Sequence, residues 1–304
     1  MGFGDSNKEG EKRESLIDKK MRQQQEILSS IDFDSIYDQP PHMDNGTMTE
    51  STTTKKTFFV YGDKNDGKTI ISYGLLDDGD TALVLSFDNK SDRPLDAREG
   101  LKALRNAPIT IKVINASVLY NQVDGPTMLE TAEHTYLYVM KLLADFADPT
   151  NVKAKINGKI PDWIIIDGTE RLNTIMEMYM RKSNGLMFNA GVPQHIWKVR
   201  RQYLNSIYSK SFETATKGVI YTSFCGMAEI IDSGTVVQRK EIPKWIGNVM
   251  EETDVQIRAF ATRDGKKSKF TARIHGSKYP FSYPDGDYDV TDKRLSKVIT
   301  NGVD

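Results

Sequence analysis

The run Gly62-Asp63-Lys64-Asn65-Asp66-Gly67-Lys68-Thr69 fits the pattern G-x-x-x-x-G-K-[ST] at every fixed position. Residues of these types at this spacing wrap a polyphosphate. The two glycines let the backbone turn tightly, so that N–H groups converge on phosphate oxygens. Lys68 brings a positive charge to the β- and γ-phosphates, and the Thr69 hydroxyl is a ligand for Mg²⁺. The expected cradle runs from Gly62 to Ile70. Asp63 and Asp66 stand out in it. They add negative charge to a loop that must hold an anion, and Lys64 offsets only part of that charge.

Such a site needs a carboxylate at the end of a neighbouring strand to hold the metal's water shell. Asp167, closing the apolar run Trp163-Ile-Ile-Ile-Asp167, has the required form. Thr69 and Asp167 are therefore the expected metal residues. The residue after Asp167 is Gly168 and not Glu, so the group that orients the attacking water must come from elsewhere. Asp88 ends Val84-Leu-Ser-Phe-Asp and is one candidate base. It also reads as the first residue of a turn, in Asp88-Asn-Lys-Ser-Asp92-Arg-Pro. Glu170 is another candidate, although a carboxylate there also suits the start of a helix. The expected catalytic set is Lys68, Asp88 and Asp167.

These groups have to be held by regular elements. Thr57–Gly62, Thr81–Asp88, Ile109–Ile114, Asp162–Asp167 and Gly218–Phe224 read as short, largely apolar strands. Lys68–Leu76, Leu95–Arg105, Thr127–Phe146 and Arg171–Lys182 read as helices between them. That alternation predicts an α/β fold with a mainly parallel sheet covered on both faces. After Phe224 the pattern changes to antiparallel strands at Gly234–Lys240, Val255–Arg263 and Ser268–Ile274, with Asp264-Gly265 as a tight turn. Residues 1–56 are rich in Lys, Glu and Gln and then in Pro, Asn and Thr. They read as a largely disordered arm and linker, in which Glu9–Ser30 could form a solvated helix with a thin apolar stripe, or as an arm that docks on a neighbouring subunit. Residues 57–292 form the expected globular domain, and 293–304 a C-terminal tail.

The chain has 304 residues, with 41 Lys+Arg against 42 Asp+Glu. A net charge of -1 excludes a protein coated in basic surface, but not a local basic groove. A single cysteine, Cys225, excludes a disulfide scaffold and a thiolate zinc site. No apolar run reaches the length of a membrane span, and no signal peptide is evident at the N-terminus. A cytoplasmic setting is the simplest expectation.

With the phosphate loop after the first strand, Ser-Phe-Asp88 on the second and Ile-Ile-Ile-Asp167-Gly-Thr later, the chain resembles the RecA-like P-loop ATPases. It is most similar to the compact archaeal and phage RecA-like, AAA-type ATP-binding proteins, some of which act in single-strand-annealing recombination. The resemblance covers roughly residues 57–292. It includes a short helix near Trp245-Ile-Gly-Asn-Val-Met, then Asp254-Val-Gln-Ile-Arg and a hairpin. It implies ATP and Mg²⁺ as cofactors and a homo-oligomer with the nucleotide between subunits. It also implies a polar γ-phosphate sensor at Thr222 or Ser223, and cations reaching a neighbour's nucleotide at Arg273 and Lys278. Read on their own, these last two are equally ordinary strand charges, and Thr222 and Ser223 equally a polar strand end.

Single-stranded DNA is the expected further partner. Trp197-Lys-Val-Arg200-Arg201-Gln-Tyr203 interleaves aromatic and basic groups, as strand-binding surfaces do. The same stretch has the spacing of an amphipathic helix with a packed apolar face. Two functions follow. One is Mg²⁺-dependent ATP hydrolysis coupled to DNA in recombination, repair or replication. The other is a nucleotide-binding interaction protein with little or no turnover. A small-molecule kinase is a distant third, since no Arg-rich lid is evident.

Overall fold

The computed structural model describes residues 16–38, 55–88, 90–96, 103–232, 235–244, 253–264, 267–280 and 282–300. Its strands are β1 (Lys56–Gly62), β2 (Thr81–Ser86), β3 (Thr110–Asn115), β4 (Trp163–Asp167), β5 (Gly218–Asp232), β6 (Thr235–Pro243), β7 (Val255–Asp264), β8 (Lys267–His275) and β9 (Gly286–Asp289). Its helices are α1 (Leu16–Ser29), α2 (Phe33–Tyr37), α3 (Lys68–Gly74), α4 (Gly125–Ala147), α5 (Thr169–Ser183), α6 (Trp197–Thr214) and α7 (Leu295–Thr300).

The sheet order is β3-β2-β4-β5-β1-β7-β8-β9. The pairs from β3 through β7 are parallel, and β8 and β9 extend the sheet antiparallel. β5 serves twice. Its first half lies between β4 and β1. Its second half leaves the sheet and pairs antiparallel with β6, from Cys225↔Pro243 to Asp232↔Thr235, as a two-stranded ribbon.

The inner strands are apolar on both sides because helices cover both faces. Side chains alternate across the sheet with a period of two. Phe59, Tyr61, Leu83, Leu85, Ile164 and Ile166 therefore join one core layer with α4, α5 and α6. Phe58, Val60, Val84 and Ile165 join the other, with Ile71 of α3 and Leu295 and Ile299 of α7. α4 starts where Asp124 accepts from the Thr127 amide at 2.8 Å, with Pro126 in the first turn. The expected α/β architecture with an antiparallel extension is the one observed.

Both chain ends differ from the expectation. The arm's expected solvated helix is present over Leu16–Ser29, a second runs over Phe33–Tyr37, and the arm docks on its own chain. Tyr37 is buried beside Phe146, its hydroxyl donates to Asp145, and its carbonyl accepts from Lys112 Nζ at 2.5 Å. Composition missed this docking because a few apolar residues (Ile31, Phe33, Ile36 and Tyr37) in a polar segment barely change the average. At the other end α7 is packed. Arg294 donates to the Leu76 carbonyl at 3.0 Å, and Leu295 is fully buried. Of the helix expected over Leu95–Arg105, Arg93–Leu95 forms a 3-10 turn and residues 103–106 form turns. Residues 97–102, residues 39–54 and the stretch Trp245–Met250 lie outside the described residues.

Candidate nucleotide-binding site

The carboxyl ends of β1, β2, β4 and β5 meet at one cavity of about 610 Å³. Ligands in open α/β sheets bind at this edge. Register places the groups there. Ser86 lies directly across from Asp167, and Gly62 across from Phe224.

Gly67 ends the phosphate loop with φ at 82°, in the left-handed region, and α3 begins at the next residue. A Cβ on Gly67 would lie 2.6 Å from the Phe270 ring, so the position admits no side chain on two counts. Lys68 Nζ donates to the carbonyls of Gly62 at 3.2 Å and Asp63 at 2.8 Å, and lies 4.3 Å from the centre of the Phe224 ring. Burial lowers its pKa, and Glu170 and Asp167 oppose that shift.

Asp167 sits in a cage of hydroxyls. Its Oδ2 accepts from Thr69 Oγ1 at 3.0 Å and from Ser91 Oγ at 2.6 Å, and Ser86 Oγ lies 2.6 Å from Ser91 Oγ. Its Oδ1 accepts from Thr222 Oγ1, which in turn accepts from the Gly168 amide at 3.0 Å. Thr69 and Asp167 are thus joined across the loop. A hydroxyl and a carboxylate are hard oxygen donors and suit Mg²⁺. They are fewer than its six ligands, so phosphate oxygens and water would complete the shell.

Asp88 lines the cavity wall. A Cβ on Gly168, itself at φ 90°, would lie 2.8 Å from the Asp88 carboxyl carbon. Asp88 and Asp167 therefore flank one peptide. Burial raises the Asp88 carboxyl above its ordinary range and Asp167 adds to this, against Lys68 and Arg171. Glu170, on the first turn of α5, lies within electrostatic reach of Lys68 and Asp88. Burial raises its pKa to about 7, and its Oε2 is buried without a hydrogen-bond partner.

The other expected residues divide. Thr222 faces the site, whereas Ser223, one residue on and pointing the opposite way, donates to the Lys244 carbonyl at 3.0 Å. Arg273 makes a two-pronged pair with Asp287 at 2.6 and 2.8 Å, and Lys278 is 3.5 Å from Asp254. Neither lines the cavity. On α6, Arg200 stacks over Trp197 at 4.5 Å, and Tyr203 stacks on Tyr179 at 4.2 Å. These aromatic faces are turned to partners within the chain.

Several site residues escaped the sequence reading. Ser91, Lys90 and Arg93 follow Asp88 in the same loop, so position alone could have suggested them. Arg171 follows Glu170 on the first turn of α5. Phe270 and Arg258 are far from the loop in sequence and carried no signal. The Arg258 side chain is only 6% exposed and donates to Asp66 Oδ2 at 2.9 Å, Asp63 Oδ2 at 3.3 Å and Glu241 Oε2 at 2.9 Å. The two anomalous loop acids are therefore ion-paired behind the loop.

No family profile matches the sequence, and no curated protein matches it. Among solved structures, the fold is similar to a KaiC-like protein of the hyperthermophilic archaeon Pyrococcus horikoshii OT3. The identity is 13%, the match covers 77% of this chain and 84% of that one, and the TM-score is 0.34. A likeness of that degree assigns neither residues nor activity. Among the described residues, no helix is long and apolar enough to cross a membrane.

Proposed function

We propose that the chain is a RecA-like P-loop ATPase that binds ATP with Mg²⁺ and hydrolyses its terminal phosphoanhydride bond. One observation carries the reading: Thr69 at the end of the phosphate loop is hydrogen-bonded to Asp167 at the end of a parallel strand. Loop and carboxylate are distant in sequence and serve one site. Thr69 and Asp167 would hold Mg²⁺, which would supply charge neutralisation at the reacting phosphate.

The residues divide the remaining work. The Gly62–Ile70 backbone positions the phosphates. Lys68 has to leave the Gly62 and Asp63 carbonyls to reach them. Thr69 donates its hydrogen to Asp167 and keeps lone pairs free for the metal. Thr222 holds the Asp167 carboxylate in place. Asp88, on the open wall beside Gly168, orients water and accepts its proton, and its raised pKa makes it a stronger base than an ordinary aspartate. The expected context is a homo-oligomer acting on single-stranded DNA, with Arg273 and Lys278 exchanging their present partners for a neighbour's nucleotide.

The test is Mg²⁺-dependent ATP turnover with and without single-stranded DNA, beside Lys68→Ala and Asp88→Asn. Turnover stimulated by DNA, lost in Lys68→Ala and reduced at least a hundredfold in Asp88→Asn, is the expected result. Tight ATP binding without turnover in either condition refutes Asp88 as base and leaves a nucleotide-dependent interaction protein. The glycine that directly follows Asp167 in sequence, where an acid would serve as the base, favours that second reading.

A further inference from the structure

We propose that Arg258 is a positioning residue that sets the nucleotide affinity of the phosphate loop by neutralising the acids the loop carries. This rests on the reading of Gly62–Thr69 as a triphosphate cradle. Asp63 and Asp66 lie in the segment that has to approach phosphate. Left unpaired, two carboxylates there would repel a polyanion, Asp66 the more strongly because its side chain is 15% exposed against 68% for Asp63. The fold answers with a cation from β7, brought beside the loop because β7 pairs in parallel with β1.

The guanidinium is well suited to the task. Its planar fork engages several carboxylates at fixed angles, which a lysine ammonium cannot do. One edge takes Asp66 and Asp63, while Nε takes Glu241 of β6. The face lies on the Phe260 ring, 4.5 Å from its centre. Asp66 Oδ2 also accepts from the Asp63 amide at 2.7 Å, so the pair fixes the turn as well as its charge. Gly62 is part of the same fit, because a Cβ there would lie 2.9 Å from Arg258 Nη1. A buried arginine facing three carboxylates leaves this corner negative overall. Loss of the arginine would leave it strongly so.

Glu241 is the informative third arm. It belongs to the ribbon and not to the loop, and it draws on the same cation. Removing its charge leaves more of the guanidinium's field for the loop. The three groups therefore predict opposite signs. Arg258→Met, which keeps an apolar stem against Phe260, weakens ATP binding. Glu241→Gln strengthens it. Asp63→Asn with Asp66→Asn strengthens it in the native background and restores it in the Arg258→Met background, since asparagine keeps the acceptor for the Asp63 amide.

The experiment is equilibrium binding of Mg²⁺–ATP to the full chain and these variants at low and high salt, with thermal unfolding of each and Lys68→Ala as reference. The expected losses and gains are about tenfold or more for Arg258→Met, at least half of that recovered logarithmically by the double asparagine, and two- to fivefold tightening for Glu241→Gln. The Arg258→Met deficit should shrink at high salt, because a screened repulsion is its cause. A folded Arg258→Met that binds ATP as the native chain does overturns the inference, as does a deficit that the asparagines leave untouched. If Arg258→Met does not fold, unchanged affinity in both the double asparagine and Glu241→Gln overturns it. A native chain that binds no better than Lys68→Ala refutes instead the reading of the cradle itself.

Discussion

Lys112→Met should change how stability responds to pH. Lys112 lies in the middle of β3, only 2% exposed, with its ammonium on the Tyr37 carbonyl at the end of the docked arm. Burial lowers its pKa to about 8, and Asp38 only partly opposes that. The unfolded chain holds this proton up to about pH 10.4. Between those values the native state binds fewer protons than the unfolded state, so stability rises with pH. A depression of this size corresponds to roughly 3 kcal/mol, fully present as a penalty below about pH 8 and relieved toward about pH 10.4. Methionine has similar volume and no charge, but it leaves the Tyr37 carbonyl without its donor, at about 1–3 kcal/mol. The two effects nearly cancel at neutral pH and separate in base. Urea unfolding of both proteins at about pH 7.5 and about pH 10 should show the native chain's advantage growing by about 2 kcal/mol. Other titrating groups are common to both chains and drop out of the difference. A difference that stays flat would mean that Lys112 is hydrated where it sits. A slope of opposite sign would mean that its charged form is the one the fold favours.

Two more changes test the site directly. Thr222→Val removes the hydroxyl that Asp167 and the Gly168 amide share, stranding one buried donor and weakening support of a carboxylate, so urea unfolding should show a loss of roughly 3 kcal/mol; a loss below about 0.5 kcal/mol would show that water replaces the hydroxyl. Glu170, with its pKa raised to about 7 by burial, gives the nucleotide-free native state an extra proton between about pH 4.5 and 7, so its contribution falls as pH rises through that window. Glu170→Gln should flatten that part of the stability profile, and an unchanged profile would show that the carboxyl is solvated.

The site was legible in sequence where it is local. The loop Gly62–Thr69 is a contiguous pattern, and Asp167 ends a strand so apolar that its polar end is conspicuous. Thr222 could be placed at the end of its strand, but alternation alone could not choose between it and Ser223 without knowing which face meets the cavity. Arg258 was invisible because its role depends on β7 lying beside β1, and strand order is a tertiary fact. The same holds for Phe270 against Gly67. Asp63 and Asp66 looked like defects when read without their partner. The docking of the arm was missed for a related reason: Tyr37, with Phe33, Ile31 and Ile36, is a short apolar cluster whose partners lie far along the chain, and averaged composition does not register it.

The strand carrying the phosphate loop is completed late. Among the described residues, β1 pairs with β5 and β7 alone, which begin at Gly218 and Val255. During synthesis at about 5–20 residues per second, β1 has both edges unpaired for roughly 8–30 s until β5 emerges, and one edge unpaired until β7 does, roughly 10–40 s after β1. Phe58-Phe59-Val60-Tyr61 is a short, uncharged, β-prone stretch of the kind that pairs with other chains when exposed. The lysines at 55 and 56 and the charged loop from Asp63 bracket it and limit that hazard. The acids that burden anion binding in the finished fold thus also guard its central strand while the chain is still being made.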